Sequence, residues 1–372
     1  MLLLAFRNLF QSKVRLLMST GGLALALLLV LALDSILTGI QTQVSAYIDR
    51  SGADVWVAQK GVRNMHMASS TLSVTTIDRV RAAGGVVSVT PILFQLSTVA
   101  AGGDSHIVYV IGLPPSPAAG APWRVVAGSG VPGLGETVID RNVAEQSGIG
   151  VGSSVSILGQ RFRVVGLTEG TLNIVNSVAF ISMADFIAIR GSTDTVSYLL
   201  VKTVPGRSPD EVAASIERQV GDVTALSRSA FSAQEREVIA GMTTDIVAIM
   251  NVVGLLIGLA VMALTVYTAT LARRAEYGVL KAVGARNRDL YLVVLLQAAI
   301  GLILGLSASV LLTWLLSLAI PAVKPSIVLE LSIGSIAKVG SMALVIAAAT
   351  AILPVMQMAR LDPASVFRRK AA

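Results

Sequence analysis

A chain of 372 residues that is 54% hydrophobic and 14% charged, with a mean hydropathy of +0.75, is too apolar for an ordinary soluble domain and reads as an integral membrane protein. The absence of cysteine excludes a disulfide framework and a thiolate metal site. A net charge of +7 would suit nucleic acid, but twelve of the 29 basic residues and only three of the 22 acidic ones fall in the short segments that flank the long apolar runs; the excess is topological, and no nucleic-acid groove is expected.

Residues 1–15 space Leu2, Leu3, Leu4, Phe6, Leu9, Phe10 and Val14 between Arg7, Asn8, Gln11, Lys13 and Arg15, a pattern that predicts an amphipathic helix along the inner membrane face. Residues 16–40 form the first span, with an apolar run longer than a signal-peptide core. Asp34 falls near its outer end, where a carboxylate reaches interfacial water; a place on a substrate path is the other reading.

Residues 41–232 are expected outside, because the first span begins on the basic side. Strands are predicted at 54–58, 86–100, 106–112, 136–140, 178–182 and 196–202. Helices are predicted at 76–83, from Asp140 through Gln146, from a capping box at Ser182 to Asp185, and from Ser208-Pro209-Asp210-Glu211 to about Val220. Segments 153–158 and 161–166 read as a hairpin around Gly159-Gln160, and the Gly/Pro-rich stretch 114–135 as a loop. Strands and helices that do not alternate strictly argue for an α+β domain.

Ser232-Ala233-Gln234-Glu235 is a further capping box, so residues 233–272 are predicted to form a stalk that continues into the second span. Residues 273–289 form a short basic, hence cytoplasmic, loop; 290–320 are the third span, 321–335 a short outer loop, 336–358 the fourth span and 359–372 a cytoplasmic tail. Gly254 with Gly258, and Gly301 with Gly305, are spaced for close helix approach, either within the chain or across a dimer. The fold class that results is an α-helical membrane protein with four transmembrane helices and a large α+β extracytoplasmic domain inserted between helices 1 and 2.

No Gly-x-x-x-x-Gly-Lys-Ser/Thr run occurs, so the chain has no P-loop for ATP. Gly128-Ser129-Gly130-Val131-Pro132-Gly133 fits a dinucleotide pattern in letters only, with Pro132 inside it and a strand after it. Two histidines, His66 and His106, are too few for a His-based zinc enzyme, and no catalytic residue or metal site is expected. Met65-His66-Met67 is the one soft-ligand cluster, a candidate substrate or soft-metal contact with packing as the plainer reading.

The loop carries Arg273, Arg274, Glu276, Gly278, Leu280, Lys281 and Gly284 in the order Arg-Arg-x-Glu-x-Gly-x-Leu-Lys-Ala-x-Gly-Ala. This run closely resembles the coupling-helix motif of FtsX/MacB-type permease subunits of ABC transporters. Glu136 to Asp140, Gly150 to Ser153 and Arg161 to Gly166 are similar to the MacB-like outer domain, and the tail from Ala359 to Arg368 resembles the family's C-terminal signature. The stretch Asp54 to Gly61 resembles the DevC-like and HrtB-like branches.

The resemblance implies a non-enzymatic membrane subunit in the bacterial inner membrane with both termini cytoplasmic. It would bind no cofactor itself and act as a homodimer with two copies of a separate ATPase that holds ATP and magnesium. The seven loop residues would couple ATP hydrolysis to movement of the outer domain. The implied activity is export or extraction of an amphipathic substrate (a lipid, lipoprotein, peptide, haem or drug) by mechanotransmission instead of an alternating-access channel, with membrane lipid and a periplasmic adaptor as further partners. Two alternatives stand beside it: a non-transporting mechanotransmitter that controls an envelope hydrolase, and a four-span sensor or scaffold without an ATPase.

Overall fold

The computed structural model describes residues 13–172, 177–272, 279, 283 and 286–359. Most of the helix expected at 1–15, and the tail from 360 onward, lie outside the described residues. The chain divides into an outer unit, Gly39–Met242 with Lys324–Ile327, and a membrane unit made of the rest.

In chain order, α1 (Lys13–Val44) and the single-turn α2 (Ala46–Arg50) lead into β1 (Val55–Gln59), β2 (Leu72–Ser73) and α3 (Thr76–Arg81). Then come β3 (Val86–Ala101), β4 (Asp104–Leu113), β5 (Val125–Gly128), β6 (Glu136–Asp140) and α4 (Arg141–Gln146). The hairpin β7 (Ser154–Ile157) and β8 (Gln160–Thr168) precedes β9 (Ser177–Ser182), α5 (Met183–Arg190), β10 (Thr195–Val196) and β11 (Tyr198–Thr203). Last are α6 (Pro209–Val220), β12 (Val223–Ser227) and the long helices α7 (Arg228–Ala272), α8 (Asn287–Val323) and α9 (Ile333–Ala359).

The outer unit is α+β and has two halves that share one strand. Val86 to Ile92 of β3 pair with β11, completing the antiparallel sheet β12-β1-β11-β3. Leu93 to Ala101 of the same strand pair with β4, and from there the ladders run β3-β4-β9-β6-β8-β7 and return to β3, closing a six-stranded ring. A closed ring leaves no open edge to pair with another chain. Its interior is filled by Val99, Val110, Ile139, Ile157, Val164 and Ile181, with Phe186 of α5 packed against them. Gly112 lets α5 approach, since a Cβ there would stand 3.0 Å from Phe186.

β1 is buried on both faces. Val55 and Val57 pack under α3 and α6, whereas Trp56 and Ala58 point the other way, into a core with Tyr47, Tyr198, Leu200 and Phe231. Trp56 stacks on Phe231 with centroids 5.1 Å apart and planes 9° from parallel, and Tyr198 meets its edge at 5.8 Å.

Three local expectations shift. β5 lies inside the stretch read as loop, because its pairing with β8 comes from a partner about forty residues on and leaves no local period. The hairpin turn is Leu158-Gly159, one residue earlier than Gly159-Gln160, with φ of 52° and 79° at its centre, the doubly positive pair that suits a twisted hairpin. α7 starts at Arg228 instead of 233: the Ser227 hydroxyl accepts from Ala230 N–H at 3.3 Å at the end of the unforeseen strand β12, and Ser232 is already inside the helix.

Among the described residues, four helical stretches are long and apolar enough to cross a bilayer: Thr20–Val44, Val247–Leu264, Tyr291–Val323 and Ile333–Thr350. A Cβ on Gly254 would overlap a Val30 methyl; on Gly258 it would stand 2.8 Å from Ile346, on Gly305 3.0 Å from Leu23 and on Gly301 3.9 Å from Met262. Three of these glycines therefore permit contacts of α7 and α8 with α1 and α9 that a side chain would obstruct.

Two predictions follow from this packing. In the detergent-solubilised chain, Gly254→Leu should overpack the bundle and cost about 1–3 kcal/mol, visible as a lowered thermal midpoint, whereas Gly301→Ala should leave the midpoint unchanged. Trp56→Ala should destabilise the outer unit by about 3–5 kcal/mol, measured by denaturant titration followed through protease sensitivity of that unit.

Candidate functional site

The sequence places its strongest motif between α7 and α8. Arg273, Arg274, Glu276, Gly278, Leu280, Lys281 and Gly284 lie outside the described residues. Two of their neighbours do not: Val283 N–H donates to the Val279 carbonyl at 3.0 Å, a bond of the i to i−4 type. Val279 and Val283 are 48% and 83% exposed, two apolar side chains joined by that bond and open to contact. The charge reading passed over them, although their spacing was the available signal.

The other end of α7 is a dense polar cluster in the core of the outer unit. Glu235 is 1% exposed and accepts from Met65 N–H at 2.6 Å through Oε2. Its Oε1 lies 3.8 Å from His66 Nδ1 and has no hydrogen-bond partner. Burial pushes the Glu235 carboxyl up to about 7, against the opposing pull of the Met65 and His66 backbone N–H groups. Burial also lowers His66, whose Nδ1 shares a short hydrogen bond with the Tyr109 hydroxyl. Tyr198, pushed up by burial and by the Glu235 charge, bonds the carbonyls of Asn64 and Ala68 at 3.4 and 3.3 Å. Segment 64–68 is thus held from both α7 and the sheet.

One residue on, Arg236 turns toward α2. Its Nη2 donates to Asp49 Oδ2 and to Ser232 Oγ, both at 2.7 Å, and its Nε donates to Ser45 Oγ at 2.8 Å. Ser45 Oγ also donates to Asp49 Oδ2 at 2.8 Å. Burial raises Asp49, but the hydrogen bonds of Ser232, Ser45 and Arg236, with the guanidinium charge, outweigh it and hold the carboxyl below its ordinary value. Adjacent residues of one helix therefore grip the entry helix of the unit and the loop after β1.

The remaining candidates separate. Met65 is 4% exposed and packs in the core, whereas Met67 is 66% exposed, so Met65, His66 and Met67 do not converge on one ligand. Asp34 accepts from Lys338 Nζ at 2.5 Å, linking α1 to α9, and beside it the Ser35 carbonyl accepts from Glu330 N–H at 3.0 Å. This makes Asp34 a paired group between helices. Glu235, which the sequence marks as a capping-box acid, is instead a buried acceptor for a segment 170 residues away. Arg236 and Asp49 carried no sequence signal, because their partners are 187 positions apart.

Comparison with known proteins gives the frame for these sites. A family model described as the MacB-like periplasmic core domain matches residues 16–219, and one described as the FtsX-like permease C-terminal matches residues 248–363. Similar solved structures include the periplasmic region of MacB from Actinobacillus actinomycetemcomitans, at 11% identity and TM-score 0.37, covering 50% of this chain and 94% of that one. Another is the extracellular domain of the noncanonic ABC-type transporter YknZ from Gram-positive bacteria, at 15% identity and TM-score 0.36, covering 47% and 99%. No curated protein matches. With family models matched over both the inserted domain and the helices that follow it, the chain belongs to the MacB/FtsX-like family of ABC-transporter-type permeases.

Proposed function

We propose that this chain is the membrane subunit of a bacterial plasma-membrane ABC exporter, working as a homodimer with two copies of a separate ATPase and with both termini in the cytoplasm. ATP-driven closure of the ATPase pushes on loop 273–289; α7 carries the displacement to the outer unit, which extracts an amphipathic substrate from the outer leaflet or the periplasm. The chain holds no P-loop, so the energy enters from a partner.

The observation that supports this reading best is α7 itself. It is 45 residues long, about 67 Å at 1.5 Å per residue, contains no proline, begins in the core of the outer unit and ends at Ala272, directly before the basic loop. A helix without a proline kink transmits axial displacement and torque along its length. The exposed Val279-Val283 pair adds an apolar contact for a groove on the ATPase, with the loop's charges fixing its register.

Co-expression of the tagged chain with the ATPase should yield a complex, and Glu276→Lys should depress its ATP hydrolysis without reducing membrane insertion. A chain that never co-purifies with an ATPase, together with hydrolysis unchanged by E276K, would overturn the proposal. Gly241→Pro should break α7 at a cost of about 3 kcal/mol or more and leave ATPase binding intact. It should also abolish the difference in protease accessibility of the outer unit between ATP-bound and nucleotide-free complexes; persistence of that difference would exclude α7 as the transmitter.

A further inference from the structure

The root of α7 carries a feature that simple anchoring does not require: a carboxylate sealed in the core and facing a neutral imidazole. Hydrophobic residues would have filled the space at lower desolvation cost. The groups that face Glu235 are His66 from the loop after β1 and Tyr198 from β11, and Tyr109 from β4 stands behind them, bonded to His66. No arginine or lysine among the described residues offers it an ion pair, and Arg236, next along α7, is committed to Asp49.

We propose that Glu235 and His66 are positioning residues that form a proton-sensitive catch between α7 and segment 64–68, so that the grip of the transmitting helix on the outer unit changes with external pH. The proposal rests on the reading of α7 as the transmitter. No covalent step is involved; one proton is gained or lost at the Glu235 carboxyl.

The sign follows from the geometry. With the proton on, Glu235 is neutral, still accepts from Met65 N–H, and its buried position carries no charge penalty. With the proton off, a charge is left in the core with one oxygen unpartnered. Because the closed-state value is raised above the ordinary carboxylate value, the stabilisation is fully present below that ordinary value and is lost as pH rises through about 7. His66 acts in the opposite sense: its lowered value means that the closed catch resists an imidazolium, and acid opens it from the other side. Glu235 therefore loosens the catch as pH rises toward and through neutrality, and His66 loosens it as pH falls on the acid side.

Hydrogen exchange on the full chain in lipid nanodiscs tests this without knowledge of the substrate. If the open catch returns Glu235 to an ordinary carboxylate value, its titration favours opening by up to about tenfold at pH 8.5 over pH 6, a ratio that His66 reduces from the acid end. Peptides spanning 62–70, corrected for intrinsic exchange, should lose protection from pH 6 to pH 8.5 by no more than that factor while β1 does not. Glu235→Gln, which keeps the acceptor but cannot ionise, should abolish the loss of protection at pH 8.5 and leave only the opposite, acid-side opening due to His66. In the complex with its ATPase, hydrolysis normalised to the ATPase alone should show an inflection near pH 7 that E235Q flattens. Equal protection at both pH values in the unmodified chain would overturn the proposal, as would a loss of protection on the alkaline side that survives in E235Q. The exchange measurement needs no ATPase, so failure to find that partner would sink the proposed function and still leave the catch decided on its own.

Discussion

The stacking of Phe231 on Trp56 puts the first turn of a membrane-entering helix into the hydrophobic core of the outer unit, and much of the molecule's arrangement depends on it. Trp56 is the inward residue of a strand buried on both faces, with β11 on one side and β12 on the other. Phe231 follows β12 by four residues, so the strand that completes the sheet also delivers the helix to its site. A flexible linker at this point would absorb motion through its own dihedral angles; a helix rooted in a close-packed core cannot move without moving the core. The polar cluster around Glu235 and Arg236 lies one turn further along the same helix and fixes its rotation as well as its depth.

Strand β3 extends that constraint through the outer unit. Its first half belongs to the sheet that holds Trp56 and its second half to the closed ring, so the two halves share a continuous sixteen-residue strand instead of a hinge. A shift at the root of α7 therefore has a hydrogen-bonded route into the ring. The ring has no free edge of its own. Its outer positions, among them Leu96 and Ile107 on β3 and β4, remain exposed as apolar side chains.

Much of this was legible in the sequence, for identifiable reasons. The four spans follow from apolar run length, and the outer domain follows from the basic flanks of the first span. The helices starting after Asp140 and Ser182 follow from caps whose hydroxyl or carboxylate does accept the expected N–H, from Asn142 and Asp185. What escaped depends on partners distant in the chain. β5 and β12 are short strands defined by their neighbours, and β12 lies between the helix ending near Val220 and the capping box at Ser232, where no element was predicted. Glu235 shows the ambiguity most clearly: Ser-x-x-Glu is a sound N-terminal signature, yet Ser227 already caps the helix and releases the glutamate for a tertiary role. The pairing of Asp34 was not legible for a related reason, since its partner Lys338 is 304 positions away.

The inserted unit enters through α1 and α2 and leaves through α7, so its two chain ends must be held at a neck. Arg236 performs this closure with Asp49 and Ser45, across a separation of 187 residues. Closing so long a loop has an entropic cost that grows only slowly with length, and a partly exposed ion pair alone contributes little. The cluster does better than an isolated pair because Ser45 and Ser232 are fully buried and hold the guanidinium and the carboxylate in one geometry. The neck and the core contact are then consecutive on one helix: Arg236 faces the entry helix, and Glu235 and Phe231 face the interior. Both contacts therefore fix the rotation of α7 about its axis, since neither face can turn without breaking the bonds of the other.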